Sequence, residues 1–145
     1  LPELTAGVDV VLDGCDNFTT RHAVNAACVK TRTPLVSGAA IRFEGQLAVY
    51  RLDRPGGPCY NCLFPQGPET AETCSETGII APLTGVIGSL QALEAIKLLA
   101  TGASGLDDQL LLFDAQRSDW RRLRIPPDPA CPCCGTTSRV ASASA

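Results

Sequence analysis

Residues 8–40 read VDVVLDGCDNFTTRHAVNAACVKTRTPLVSGAA, and this stretch decides the fold. Val8 to Asp13 is a short apolar run of the kind a buried parallel strand shows, and it ends in the loop Gly14 to Phe18. Thr19 or Thr20 is placed to cap a helix in which Ala23, Val24, Ala27 and Cys28 recur at helical spacing. Pro34 stops that helix, and Leu35 to Ala40 forms a second strand. Strand, helix, strand over about 30 residues is a βαβ unit, and such crossovers are nearly always right-handed. The fold class is therefore α/β. Ligands of such sheets gather where the parallel strands end, here at Asp13 to Asn17.

Working outward, Glu44 to Leu52 follows after a brief connection and reads as a further, antiparallel strand. Asp53 to Pro82 is rich in Pro, Gly, Thr and Glu and has weak periodicity, which marks a long functional or mobile connection. A helix is predicted over Leu83 to Leu99, with Val86, Ile87, Leu90, Leu93, Ile96 and Leu99 as its main apolar positions and Gly102 as its C-cap signal. The most apolar stretch, Ile79 to Ala100, is broken by Gly85, Gly88, Gln91, Glu94 and Lys97, so it reads as a core helix rather than a membrane span. Gln109 to Ala115 and Trp120 to Ile125 form a hairpin through Gln116 to Asp119, and the small, polar tail Thr136 to Ala145 is expected to be disordered.

With 145 residues, the chain is about one domain, and 45% hydrophobic and 19% charged residues suit a globular protein with a real core. A formal charge of −3 gives no electrostatic pull toward nucleic acid or an anionic membrane. No secretory leader is visible, so the eight cysteines point to a reducing, cytoplasmic setting with thiols used for metal or chemistry. Methionine is absent even at position 1, and the chain is expected not to begin at a natural start.

Two Cys-x-x-Cys pairs, Cys59/Cys62 and Cys131/Cys134, stand 72 residues apart (59 to 131). Each puts two thiolates on one tight turn, and two such turns together make a four-sulfur zinc site. Pro58, Pro65, Pro129, Pro132 and Gly135 supply turn formers around them. A disulfide framework or ordinary buried cysteines are the alternatives. Cys133 lies inside the second pair, but a knuckle needs two residues between its ligands, which favours Cys131 with Cys134.

At the strand end, Asp16 and Asn17 are the candidates to hold a magnesium ion that keeps waters and substrate phosphates, since Asp13 still belongs to the strand; the alternative is that Asp16 merely caps the helix. Cys74 stands in a polar segment, Thr73-Cys74-Ser75-Glu76, where a thiol has access to solvent but no neighbouring base, leaving a chemical and a structural role both open. Cys15 and Cys28 read as packing residues, and Arg42 either clamps an anion or pairs with a carboxylate, the second being favoured.

Asp13-x-x-Asp16-Asn17 with Arg21 and Asn25, then Gly38-Ala39-Ala40-Ile41-Arg42-Phe43-Glu44-Gly45-Gln46, resembles the ThiF/MoeB/HesA family, bacterial relatives of the ubiquitin-activating enzymes. The likeness continues through Cys59-Tyr60-x-Cys62, Cys74-Ser75-Glu76, the run Gly85 to Lys97 and the closing Cys-x-x-Cys, and is greatest to its MoeB branch, the molybdopterin-synthase adenylyltransferases. The resemblance implies the C-terminal part, residues 1–135, of a Rossmann-like ThiF-type fold: a βαβ unit, then antiparallel strands, with a four-cysteine zinc knuckle and a crossover loop at about 66–82. It implies MgATP-dependent adenylation of the C-terminal glycine of a ubiquitin-like sulfur carrier (MoaD- or ThiS-like), followed by conversion to a thiocarboxylate. Asp16 matches the magnesium-binding aspartate and Asn17 its nucleotide-contacting neighbour. Cys59, Cys62, Cys131 and Cys134 match structural zinc ligands. Cys74 matches a crossover-loop cysteine that forms a covalent intermediate in some members. Strand 44–52 and the late hairpin would help bind the carrier, and the family works as homodimers, for which Gly85 and Gly88 permit close approach. No G-x-G-x-x-G phosphate loop occurs in these 145 residues, so by itself the chain is expected to be weak or inactive. A non-enzymatic, zinc-stapled dimerisation and carrier-docking module, and a thiamine-pathway adenylyltransferase, are the alternatives.

Overall fold

The computed structural model describes residues 1–67 and 78–135. One sheet runs in the order β1 (Val11–Asp13), β2 (Leu35–Ile41), β3 (Glu44–Tyr50), β4 (Gln109–Asp114) and β5 (Asp119–Arg124). β1 and β2 are parallel and are joined by the crossover helix α2 (Phe18–Thr31). Every later pairing is antiparallel. The reason is connection length: only Arg42 and Phe43 separate Ile41 from its partner Glu44, too few for a parallel crossover. β4 and β5 close a hairpin between Asp114 and Asp119, as the alternating sequence predicts.

The sheet carries a core on each face. On one side Leu35, Ala48, Tyr50, Leu110 and Ile125 pack with Cys28 of α2 and with Cys59 and Cys131. On the other, Val36, Leu47 and Val49 meet Leu98 of α4 (Ala81–Thr101) and Leu106. Gly38 is what lets α4 sit close to the sheet: a Cβ there would lie 2.5 Å from the Gln91 side chain and 2.9 Å from Ile87.

Several expectations change. The first strand is only three residues long, and Val8 and Leu12 are about half exposed, because among the described residues β1 is an edge strand paired with β2 alone. Asn17, not Thr19 or Thr20, caps α2, its Oδ1 accepting from the Thr20 N–H at 2.8 Å. The buried face of α2 holds Arg21, His22 and Asn25 beside Ala27 and Cys28, while Ala23 is exposed. α4 extends two residues beyond each expected end and closes at Gly102 in the left-handed conformation (φ 70°), as foreseen. Its Val86, Leu93, Ile96 and Leu99 are exposed rather than core. With 21 residues, α4 also meets the length and composition of a membrane-crossing helix, against the expectation that no apolar run does so. Its Gln91 and Glu94 are buried and hydrogen-bonded within the fold.

Two short helices were not anticipated: α1 (Pro2–Ala6), with Pro2 in its first turn, and α3 (Tyr60–Leu63), which starts inside the first Cys-x-x-Cys and ends one residue past it. The expected loop at about 66–82 falls largely on residues outside those described, and its last two, Ala81 and Pro82, are the first turn of α4. The tail 136–145 also lies outside them.

Candidate functional site

Four thiols from distant segments converge on the α2 side of the sheet. Cys59 precedes α3 and Cys62 lies within it, with the Cys59 N–H donating to Cys62 Sγ at 3.5 Å. Cys131 and Cys134 lie on a turn closed by the Gly135 N–H on the Cys131 carbonyl at 2.8 Å. Only glycine fits at 135, since a Cβ would come within 2.5 Å of the Cys131 and Pro129 carbonyl oxygens. The four ligand sulfurs all lie within 4.8 Å of one another. Cys59 to Cys131 is 3.8 Å and Cys62 to Cys134 is 3.4 Å. A tetrahedral zinc with Zn–S bonds of about 2.3 Å spaces its sulfurs about 3.8 Å apart. A disulfide needs about 2.05 Å, and these cysteines are free, so a metal site fits and a disulfide framework does not.

Polar groups converge on the cluster as thiolates require. Asn25 Nδ2 donates to Cys59 Sγ at 3.5 Å and to Cys133 Sγ at 3.3 Å, and Asn61 Nδ2 donates to Cys131 Sγ at 3.5 Å. The Cys59 thiol is drawn down to about 4, first by a hydrogen bond from Cys133 and then, against the cost of burial, by Asn25. Cys133 is thus a neighbour of the four-sulfur group, supporting Cys59 from outside it.

The second feature is a crevice of about 530 Å³ where β1 and β2 end. Cys15, Asp16, Gly38 and Gln91 line one end of it, and Asp114 and Arg121 of the hairpin the other. Asp16 is exposed at its edge and accepts from Asn17 Nδ2 at 3.3 Å. Because Asn17 performs the capping, the alternative reading of Asp16 as helix cap is overturned. Asp13 is buried; its Oδ1 accepts from the Cys15 N–H at 2.9 Å and its Oδ2 faces Arg21 Nη1 at 3.7 Å. Cys28 is fully buried, as expected, whereas Cys15 lines the crevice instead of packing in the core. Its thiol is pushed up to about 11, first by its hydrogen bond with Asp13 and then by burial, which makes it a poor nucleophile at neutral pH. Arg42 lies in the β2–β3 turn at φ 52°, bridged to Ile79. Cys74 lies outside the described residues. Around Gly85 and Gly88 no heavy atom would come within 4 Å of an added Cβ, so no described element makes the close approach they permit.

Sequence reading left Arg21, Asn25 and Gln91 without roles of their own. Gln91 Nε2 donates to the Asp13 carbonyl at 2.9 Å and the Val36 carbonyl at 3.1 Å, tying the end of β1 to the first part of β2 from the α4 side. The available signal was spacing: Asn17, Arg21 and Asn25 recur four residues apart.

A parallel-to-antiparallel α/β sheet, a four-thiol cluster on one face and a crevice at the strand ends define an α/β domain whose cysteines could hold a metal. The ThiF family profile matches residues 1–133, and the chain belongs to the ThiF family. It is 50% identical over 129 residues to the adenylyltransferase and sulfurtransferase MOCS3 of Anopheles gambiae, covering 87% of this chain and 29% of that protein. It is 46% identical over 135 residues to the molybdopterin-synthase adenylyltransferase of Escherichia coli K12, covering 93% of this chain and 54% of that one. The chain therefore spans about half the length of the bacterial relative and under a third of the mosquito one. Among solved structures, that of E. coli MccB superposes with a TM-score of 0.71 at 16% identity, over 88% of this chain and 39% of that chain, a likeness of fold.

Proposed function

We propose that the chain, over residues 1–135, is the carrier-binding portion of an ATP-dependent adenylyltransferase that activates the C-terminal glycine of a ubiquitin-like sulfur carrier for molybdopterin biosynthesis. The observation that carries this reading is the 46% identity, over 93% of the chain, to a molybdopterin-synthase adenylyltransferase. The exposed Asp16 at the mouth of the crevice supports it. The assembly acts in the cytoplasm as a homodimer, with the carrier against β3 and the β4–β5 hairpin.

Cys59, Cys62, Cys131 and Cys134 would hold one structural zinc, which joins the segment after β3 to the segment after β5. Asp16 and Asn17 would hold magnesium and nucleotide, and bound ATP supplies the adenylyl group. The 145 residues fit only this part of the nucleotide site, since they contain no glycine-rich phosphate cradle. What the chain itself contributes is placement: it holds the Asp16 carboxylate at the crevice edge and keeps Cys15 protonated beside it. Cys74 is the proposed covalent relay for the activated carrier.

The test is Asp16→Ala in the parent protein that contains this chain, assayed by carrier-dependent ATP–pyrophosphate exchange. Loss of exchange by about 100-fold or more with an unchanged melting temperature supports the reading. Equal rates would remove Asp16 from the site. Exchange with a thiamine-type carrier alone would move the activity to that pathway, and no exchange with either carrier would leave a docking module.

A further inference from the structure

We propose that the polar stripe formed by the N-cap Asn17 and the buried Arg21 and Asn25 of α2 couples the thiol cluster to the Asp16 loop, with Arg21 as the positioning residue that sets that loop. The inference rests on the proposed role of Asp16 only for its functional meaning; the coupling itself is a matter of geometry.

Residues four apart share one face of a helix. On α2 that face is polar, yet Arg21 is 7% exposed and Asn25 only 1%. Buried polar groups are expensive without partners, so what these side chains touch shows what they are for. Asn25 belongs to the thiol centre. Its Oδ1 accepts from the Tyr60 N–H at 2.9 Å, fixing the start of α3, while its Nδ2 donates to Cys59 Sγ. One turn back along α2, Arg21 works at the place where the β1–β2 ladder gives out. The last ladder pair is Asp13 with Ser37, and beyond it the two strands part. The carbonyls of Cys15 and Gly38 lie just past that point, and Arg21 Nη2 donates to both, to Gly38 at 2.8 Å. Its Nη1 donates to Ser37 Oγ at 3.1 Å and faces Asp13 Oδ2. A turn further back, Asn17 caps α2 and holds the Asp16 carboxylate.

The thiol centre therefore grips the stripe through Asn25, which holds both Cys59 and the start of α3. The loop grips it twice, through the Cys15 carbonyl on Arg21 and through Asp16 on Asn17. Between them runs a continuous helix. Only a planar, five-donor group can serve two carbonyls and a hydroxyl at once; a lysine ammonium keeps the charge opposite Asp13 but not the fork.

Two variants of the zinc-loaded chain test this: Arg21→Lys, which keeps the charge, and Asn25→Ala, which removes the grip on Cys59 and α3 and leaves Arg21 in place. Zinc per chain, melting temperature, and iodoacetamide alkylation of Cys15 and Cys28 followed by mass spectrometry are measured on each. Cys15 lies in the loop and reports its order, while the fully buried Cys28 reports general loosening. Both variants should retain zinc and alkylate Cys15 about tenfold faster than the parent chain, with Cys28 unchanged. Zinc-retaining variants with the parental Cys15 rate overturn the proposal, and so does acceleration shared equally by Cys28. If Arg21→Lys fails to fold, Asn25→Ala decides alone. No arm depends on adenylation, so failure of the proposed function and failure of the coupling are read separately.

Discussion

The two helices that flank the sheet bury opposite kinds of surface. α2 turns Arg21, His22 and Asn25 inward, whereas α4 presses Leu83, Ile87, Ala95 and Leu98 on the sheet and leaves Val86, Leu93, Ile96 and Leu99 in the open. Contacts under α2 are directional, an amide on sulfur or a guanidinium on two carbonyls, and each depends on one partner. Contacts under α4 are mostly apolar area, in which no single atom is decisive. The α2 side should therefore be brittle to single substitutions, and the outer face of α4 should be indifferent to them.

Cys131→Ser should have the largest effect. A metal on the proposed site would close a loop of 72 residues between Cys59 and Cys131, and by chain entropy alone such a closure is worth about 4 kcal/mol. A urea titration showing less than about 1 kcal/mol of loss would mean that the knuckle is not holding the α2 side together. Next comes Asn25→Ala, which leaves the buried Tyr60 N–H unsatisfied and strips Cys59 of a donor. A loss of about 2–4 kcal/mol is expected, as large as a buried leucine truncation such as Leu98→Ala under α4. A clearly smaller loss for Asn25 than for Leu98 would break the contrast between the two sides.

His22 sharpens it through pH. Its ring lies 5.3 Å from Tyr60 and 6.5 Å from Phe18, and burial holds its pKa below the usual 6.5, outweighing the opposite pull of Cys59. Below pH 6.5 the unfolded chain takes up a proton that the folded chain resists, so this contribution is intact above pH 6.5 and is lost as pH falls toward the folded pKa. The stability of the chain relative to His22→Phe, measured by urea titration, should fall between pH 7.5 and 5, the difference cancelling any metal loss common to both. A gap independent of pH would place His22 in water. The smallest effect belongs to Ile96→Lys on the open face of α4, 62% exposed. A change within about 0.5 kcal/mol is expected in this chain, and a large destabilisation would mean that this face is covered.

Much of this was legible from sequence where polarity and burial agree. β2, β3 and the hairpin follow their apolar runs and short turns to within a residue or two. The thiol cluster was legible because knuckle spacing is local, although only the fold brings residues 59 and 131 together. The α2 face was not, because pattern reading assigns polar residues outward, and Arg21 and Asn25 point inward. Asn17, Thr19 and Thr20 are all good capping types, and only backbone geometry selects Asn17. α4 failed in the opposite sense: an apolar face on every side reads as buried, yet the sheet covers only one of them. α1 and α3, five and four residues long, are too short for any period to show.

Zinc K-edge X-ray absorption on the purified chain, with total metal measured on the same sample, asks whether a metal-bearing knuckle organises the α2 side. One zinc per chain with four sulfur neighbours at about 2.3 Å is the predicted result. A folded chain that carries no zinc, or zinc bound through nitrogen or oxygen, would contradict the account.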